Sequence, residues 1–389
     1  MRRLLLLVGA IVFVDTMFFA VLAPLLPHYV HTLGLSKAGA GVLAAMYPAG
    51  ALVAGIPSGI AAARLGVKPT VLIGLTLLAA TTVAFGLSHS AWALDTARFV
   101  QGASSGFSWT GGLAWLVAAA PAGKRGQLIG AAFGVAIAGS MFGPVLGGVA
   151  SYTGTGPAFG TVAALALVLA AAAWAMPSAA PTEPQPLRML FRALTRRKIQ
   201  IGVWLTLLPA LLFGTLTVLA PLRLSALGWG AAAVAATYAV SSGLEAAWAP
   251  VLGRASDRYG RFLPVRAALV SSAIVAALLP WPRNAWLLAL VVVCGGFAFG
   301  SFWTPALSIV TDEAERFGLD YGYAFALVNI AWAPGQAGGS AIGGALASAT
   351  SDAVPYLGLA ALCVLTLIAL ARHRDAPASL AAQAGSSVK

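Results

Sequence analysis

The sequence predicts an all-α integral membrane protein with twelve transmembrane helices in two pseudo-symmetric six-helix bundles and both termini in the cytoplasm. The composition, the spacing of the apolar runs and the positions of the basic residues predict it. Of the 389 residues, 60% are hydrophobic and 9% are charged, and the mean hydropathy is +0.89. A soluble domain carries about 25% charged residues, so this chain lacks the polar surface that a water-soluble globule needs.

Twelve apolar runs are long enough for a helix to cross the bilayer, which takes about 20 residues. In the first part of the chain they cover residues 4–27, 41–62, 70–88, 91–118, 126–150 and 157–177. In the second part they cover residues 201–222, 232–252, 264–281, 285–310, 321–346 and 353–371. The alternating segments of about ten residues that are typical of a β-barrel are absent from the sequence.

Basic residues cluster in alternate loops, as the positive-inside rule requires of a multi-pass protein. Only four of the 23 Lys and Arg residues fall on the opposite side: Lys37, Arg98, Arg223 and Arg283. The pattern predicts cytoplasmic termini. It also explains the net charge of +12 without nucleic acid as a partner.

The chain contains an internal repeat. Gly59 to Gly66 returns as Gly253 to Gly260, and the glycines of 139–148 return at 335–344, a shift of about 196 residues. Two repeated halves are typical of transporters with a binding site near the middle of the membrane. We predict bundles at 1–177 and 201–372, a linker at 178–200 and a cytoplasmic tail at 373–389.

Three motifs stand out in the first half: Val14-Asp15-Thr16-Met17 with Pro24 and Pro27, then Arg98-Phe-Val-Gln101-Gly102, then Gly139-Ser-Met-Phe-Gly143-Pro144-Val-Leu-Gly147-Gly148. With them, the chain resembles the major facilitator superfamily over its whole length, and within it the twelve-helix drug:proton antiporters, with likeness to vesicular amine transporters. The last of the three motifs resembles the antiport signature of the family. The resemblance implies a secondary transporter that works by alternating access, with the proton gradient as its energy source. We expect a monomer without a cofactor.

The inner loops after the second and eighth spans resemble the latch that joins the two halves in this family. The residues are Gly59, Arg64 and Gly66 in the first copy, and Asp257, Arg258, Gly260 and Arg261 in the second. The first copy has Ala63 where the family has Asp and Val67 where it has a base. These bases are equally compatible with simple topology signals around tight turns.

Asp15 and Glu245 are the acids placed well inside predicted spans. A charged side chain at the bilayer centre costs ~2.5–3.5 kcal/mol on insertion scales, so such acids are functional candidates. Burial disfavours the charged form of a carboxyl group, which lets it exchange protons. We predict proton or cation sites; the alternative is a structural hydrogen bond, from Arg98 or a hydroxyl to Asp15. Arg98 either tunes an acid or pairs with Asp95.

Other side chains are predicted to line the transport cavity. The aromatic candidates are Phe18, Phe19, Trp109, Trp248, Trp303 and Trp332, and the polar ones are Gln101 and Asn329. Ring faces and a carboxylate together hold lipophilic cations, although tryptophans also pack at lipid interfaces. Asn329 stands where the vesicular amine relatives have an acid, which argues against their particular substrates.

The glycine motif of the fifth span predicts close helix packing, since Gly139, Gly143 and Gly147 lie on one helix face. Pro144 can bend the helix because it lacks an N–H. The resemblance implies that this helix seals the outer side against proton leak at the boundary of the halves. Ordinary packing of small residues is the alternative.

The linker carries Leu187, Leu190, Phe191 and Leu194 at helical spacing, with arginines largely off that stripe. This pattern predicts a short basic amphipathic helix at the inner membrane surface, or else a plain positive-inside linker.

We therefore predict a proton-coupled exporter of small, lipophilic, cationic compounds in the plasma membrane, as in a bacterial inner membrane. The main alternative is a proton-coupled symporter or a uniporter for a small metabolite. An integral-membrane enzyme is a further alternative, but the histidines lie outside the middle of the spans and form no pair with a carboxylate at metal-ligand spacing.

Overall fold

A computed structural model describes residues 1–121, 125–178, 186–319 and 321–371. In these ranges the chain forms fifteen α-helices. The first half contains α1 (Arg2–Ala20), α2 (Leu22–Leu33), α3 (Lys37–Arg64), α4 (Val67–Gly86), α5 (Ala91–Ala119), α6 (Arg125–Thr153) and α7 (Thr155–Ala175). After α8 (Leu187–Leu194) come α9 (Arg197–Ala226), α10 (Ala231–Tyr259), α11 (Phe262–Leu278), α12 (Ala285–Gly300), α13 (Trp303–Arg316), α14 (Tyr321–Ala349) and α15 (Ala353–Ala371).

Two predicted spans are each divided into two helices. The run 4–27 becomes α1 and α2, and the run 285–310 becomes α12 and α13. A proline explains each break, because it has no N–H for the carbonyl four residues before it. Pro24 lies four residues after Ala20, the last residue of α1, and Pro305 lies four residues after Ser301, the C-cap of α12.

Within the described ranges, eight segments are long and apolar enough to cross a membrane by length and composition. They are Arg2–Leu33, Lys37–Arg64, Val67–Gly86, Gln127–Thr153, Thr155–Ala175, Arg197–Ala226, Ala285–Arg316 and Ala353–Ala371. The other predicted spans coincide with α5, α10, α11 and α14. Of these, α5 and α10 carry Arg98 and Glu245, and α11 has 17 residues. The twelve-span topology and the cytoplasmic termini stay predictions.

Equivalent helices pack alike in the two parts of the chain, which we call the N half (α1–α7) and the C half (α9–α15). In the N half α6 packs along α1, and in the C half α14 packs along α9. Across the halves, α3 packs against α14 and α6 against α10. The exact bundle boundaries stay predictions, and the predicted tail 373–389 and residues 179–185 of the linker lie outside the described residues.

We call the end of the molecule where α1 and α9 begin the near end, and the opposite end, where α3 begins, the far end. At the far end the halves touch through backbone: a Cβ on Gly344 would lie 3.0 Å from the Cα atom of Gly41. Lys37 Nζ and Asp352 Oδ1 form an ion pair of 2.5 Å between the halves. The far end is therefore closed by both packing and charge.

Two bases bind carbonyls at helix ends: Lys68, which the sequence assigns to topology, and Arg223, one of the four that it places on the opposite side. Lys68 Nζ donates to the carbonyl of Met176, just beyond α7, at 2.9 Å. Arg223 Nη2 donates to the carbonyl of Pro282, in the turn after α11, at 2.8 Å. A cation at a helix C-terminus stabilises the last carbonyls, so these charges also hold helix ends together.

Candidate functional site

The carboxyl group of Asp15 lies in the core of the N half, where three donors from two other helices surround it. Tyr47 Oη of α3 donates to Oδ1 at 2.9 Å. Ser105 Oγ and Trp109 Nε1 of α5 both donate to Oδ2, each at 2.8 Å. The residue is only 2% exposed. Because buried acceptors need such partners, this set compensates Asp15 for the loss of water and joins α1, α3 and α5.

Arg98 of α5 is buried beside this group and binds the end of α1. Its Nη1 and Nη2 atoms donate to the carbonyls of Phe18 and Phe19, both at 3.1 Å. Nη1 also lies 3.4 Å from Gln101 Oε1, and the guanidinium carbon lies 4.8 Å from the ring centroid of Tyr47. A cation in this place stabilises the C-terminal carbonyls of a helix.

The hydrogen-bond partners of Arg98 are neither of the two that the sequence suggested, Asp15 and Asp95. Its hydrogen bonds go to carbonyl groups rather than to Asp15, and within the described ranges Asp95 forms no ion pair. The break of α1 before Pro24 explains the difference, because it ends the helix opposite α5 and presents the negative end of its dipole there.

Glu245 of α10 has the opposite environment. It is half-buried, and among the described residues it has neither a hydrogen-bond partner nor a salt bridge. Its side chain lies against α12, where a Cβ on Gly300 would come within 2.7 Å of Oε1. One turn further on, the ring of Trp248 lies 4.9 Å from that of Phe297. Glu245 is thus an acid without a polar partner in the described structure, one helical turn from an aromatic pair.

Aromatic rings connect the N half with the C half. The ring centroid of Phe19 lies 5.3 Å from that of Tyr47 and 5.4 Å from that of Trp332 on α14. Nearby, Asn329 Nδ2 donates to the carbonyl of Ala51 at 3.4 Å. These contacts cross the boundary of the halves next to the Asp15 group.

Not every predicted cavity residue lies in a cavity. Phe18 is fully buried in the N half, with its ring 5.2 Å from that of Phe159. Gln101 is also fully buried and donates to the carbonyl of Thr81 at 3.2 Å. Both residues contact Arg98, and their side chains therefore lie in the core of the N half. In the C half, Trp303 stacks on a ring of α9 at 6.3 Å.

The glycines of the α6 motif pack mainly inside the N half, although α6 itself also packs against α10 of the C half. Gly139, Gly143 and Gly147 face backbone and side chains of α1 and α2, and no Cβ would fit there. Only Gly148 of the motif faces the C half, where a Cβ would lie 3.0 Å from that of Ala235. Pro144 lies inside α6 without ending it. Gly139 and Gly143 therefore pack α6 against α1, the helix that carries Asp15, and Gly147 packs it against the start of α2.

Of the predicted latch residues, Arg261 makes its described contacts within the C half. Arg261 pairs with Asp312 of α13 and donates to the carbonyl of Ser308 at 2.7 Å. The side chain of Asp257 lies outside the described residues, and Arg258 lies over the ring of the next residue at 5.3 Å. In the first copy Arg64 is exposed.

Glycines of the two latch copies fall into two kinds. Gly66 and Gly260 have φ angles of +94° and +81°, which favour glycine at these turns. Gly59 lies within α3 and has open space around it.

Sequence reasoning missed Tyr47 and Ser105 as partners of Asp15. The signal for Ser105 is the polar series Gln101, Ser104, Ser105 and Ser108 in an otherwise apolar span. Tyr47 has no such signal, since it lies in an apolar stretch without other polar side chains.

Comparison with known proteins assigns the family. The family model described as "Major Facilitator Superfamily" matches residues 8–335. The chain belongs to the major facilitator superfamily. The fold agrees: the xylose transporter XylE from E. coli, in a partially occluded inward-open conformation, matches with a TM-score of 0.77 and 14% identity, covering 96% of this chain and 98% of XylE. The nucleoside transporter NupG matches with a TM-score of 0.75 and 15% identity, covering 95% of this chain and 100% of NupG.

Curated relatives of this superfamily member are transporters by name. An uncharacterised MFS-type transporter of Yersinia pseudotuberculosis is 29% identical over 267 residues, 68% of each chain. Another, of Schizosaccharomyces pombe, is 32% identical over 157 residues, which cover 38% of this chain and 35% of the relative. The chain thus spans about two thirds of the first relative and a third of the second. It is a multi-pass membrane protein of a secondary transporter family, and these relatives point to a transporter rather than an enzyme.

Proposed function

We propose that this major facilitator protein exports small lipophilic cations in exchange for protons by alternating access. The observation that carries the proposal is Glu245, a half-buried acid without a polar partner in the described structure, one helical turn before the aromatic residue Trp248. A carboxyl group in this situation is stable either protonated or paired with a cation. A proton and a cationic substrate therefore compete for Glu245, which is the condition for antiport.

Asp15 has a second role in this proposal. Its three donors stabilise the ionised carboxylate, so Asp15 binds and releases a proton less readily than Glu245 does. A change in the protonation of Asp15 affects the boundary of the halves through Tyr47. The hydroxyl of Tyr47 donates to Asp15, and its ring contacts that of Phe19. We propose that Asp15 couples the protonation state of the N half to its contact with Trp332.

Alternating access requires the two halves to separate at the far end. In the proposed topology the far end is the outer side of the plasma membrane and both termini are cytoplasmic. The bundles 1–177 and 201–372 then move against each other as a monomer, without a cofactor. The closed far end corresponds to a state in which the substrate enters from the cytoplasm.

The test is uptake of a fluorescent lipophilic cation into inside-out vesicles with an imposed pH gradient. We expect an acidic interior to drive uptake, and we expect Glu245→Gln to abolish this drive. Glu315→Gln is the matched control, because Glu315 is an exposed acid of α13. Asp15→Asn is expected to reduce the coupling as well.

Two outcomes would contradict the proposal. Uptake that is independent of the pH gradient would contradict proton antiport. Uptake that persists in Glu245→Gln at the rate of Glu315→Gln would contradict it as well. Solute movement in the same direction as the protons would favour the alternative, a symporter of a small metabolite.

A further inference from the structure

The linker helix α8 has three distinct faces. Leu190 and Ala193 are buried against the C half. Leu187 and Phe191 are 42% and 58% exposed. Arg188 and Arg192, one residue further along in each turn, are also exposed. Residues four apart lie on the same side of a helix, so the exposed surface consists of an apolar strip beside a basic strip.

The buried face fixes α8 to the C half. Leu190 and Ala193 belong to a cluster with Val310 and Ala314 of α13 and with Leu327 of α14. This cluster lies at the near end of the C half, and Leu187 and Phe191 are not part of it. The apolar residues that the sequence places on one helix face therefore lie partly against the C half and partly on the exposed surface.

The position of α8 relates the exposed strips to the bilayer. α9, which is long and apolar enough to cross a membrane, begins at Arg197, three residues after α8 ends at Leu194. α8 therefore lies at the level where the membrane-spanning part of the C half starts. An exposed phenyl ring at this level can enter the acyl boundary, while neighbouring arginines remain among the headgroups.

The charge of the segment selects the kind of lipid. Residues 186–200 contain five basic residues and no acid. Some of these bases are already engaged: Arg196 lies 5.0 Å from the ring centroid of Phe317 in the turn between α13 and α14, and Lys198 pairs with Glu313 of α13. Arg188 and Arg192 project from the exposed surface, and guanidinium groups bind phosphate oxygens in pairs of hydrogen bonds.

We propose that α8 binds anionic phospholipids of the bilayer through Arg188 and Arg192, with Phe191 as its apolar anchor. The bound lipid then stabilises the near end of the C half, because α8 packs against α9 and α14. This interaction is independent of the transported substrate and of proton coupling.

The experiment uses the full-length protein in nanodiscs of phosphatidylcholine with phosphatidylglycerol. Phe191→Cys, in a background where Cys294 and Cys363 are replaced, carries a bimane label. One lipid at a time has brominated acyl chains, which quench bimane on contact. We expect both lipids to quench, and brominated phosphatidylglycerol to do so more strongly than its share of the lipid predicts.

Removing Arg188 and Arg192 together (both to Gln) should lower this preference by about fivefold for each arginine, since a base near an anionic surface contributes about 1 kcal/mol. The matched control replaces Arg2 and Arg3, two exposed bases at the same end of the molecule, and should retain the preference.

Three results would overturn the inference. The absence of quenching by either lipid would mean that α8 faces water or a protein partner. Equal quenching by the two lipids would remove the selection of anionic headgroups. An unchanged preference in the double variant would assign it to other residues.

Discussion

The ion pair between Lys37 and Asp352 is the one charged contact among the described residues that joins the halves at the far end, and its loss should open that end. Lys37 begins α3 in the N half, and Asp352 lies between α14 and α15 in the C half. The Nζ–Oδ1 distance is 2.5 Å. Lys37→Ala removes the pair and leaves the packing of Gly41 on Gly344 intact.

The size of the effect follows from the exposure of the pair. The Lys37 side chain is 40% exposed and that of Asp352 is 18% exposed. Solvent-exposed pairs contribute ~0.2–1 kcal/mol, and the shielding of Asp352 places this pair toward the upper limit. A loss of about 1 kcal/mol changes the ratio of far-end-open to far-end-closed molecules by about fivefold.

Distances between spin labels at the far end measure this ratio. Trp92, at the start of α5, and Trp281, just after α11, are 78% and 61% exposed and belong to different halves. Labelled cysteines at these two positions should report a larger fraction of long distances in Lys37→Ala. Exchanging the two charges, Lys37→Asp with Asp352→Lys, should restore the original distribution.

A double-mutant cycle decides whether the pair itself is responsible. If Lys37→Ala and Asp352→Ala shift the distances independently and their effects add, the two residues are not coupled and the reasoning is refuted. Lys198→Ala, which removes a longer, 3.8 Å pair within the C half at the near end, serves as the control and should leave the far end unchanged.

Three further predictions concern close packing and helix caps. Gly300→Ala places a Cβ 2.7 Å from Oε1 of Glu245, so the acid must move and gradient-driven transport should fall; Gly295→Ala on the same helix, with its nearest neighbour at 3.5 Å, should transport normally. Gly344→Val pushes against the backbone of α3 at the far end, so the spin-label distances there should lengthen more than in Lys37→Ala; unchanged distances would argue against backbone contact. Arg223→Gln removes charged hydrogen bonds to the turn after α11, which should lower stability by about 1–2 kcal/mol and appear as a lower Tm with unaltered coupling to the proton gradient.

The apolar runs and the repeat of the glycines were readable from the sequence, because helix length and close packing leave a local or periodic pattern. Each of the twelve runs coincides with a helix or a pair of helices. The two breaks were missed, since other prolines of this chain, such as Pro144 and Pro334, lie inside continuous helices. A proline removes one hydrogen bond in either case, and the packing around it decides whether the helix ends.

The sequence by itself determined that the chain belongs in lipid and that Asp15 and Glu245 are its unusual charges, because an acid in an apolar run is visible without a fold. Only the tertiary structure decided how they differ. The donors to Asp15 come from 32, 90 and 94 residues away, and Glu245 instead meets the bare backbone of Gly300. Hydrogen bonds are formed at about 3 Å, so the partners of a buried charge are set by which helices become neighbours, and no local pattern in the sequence records that.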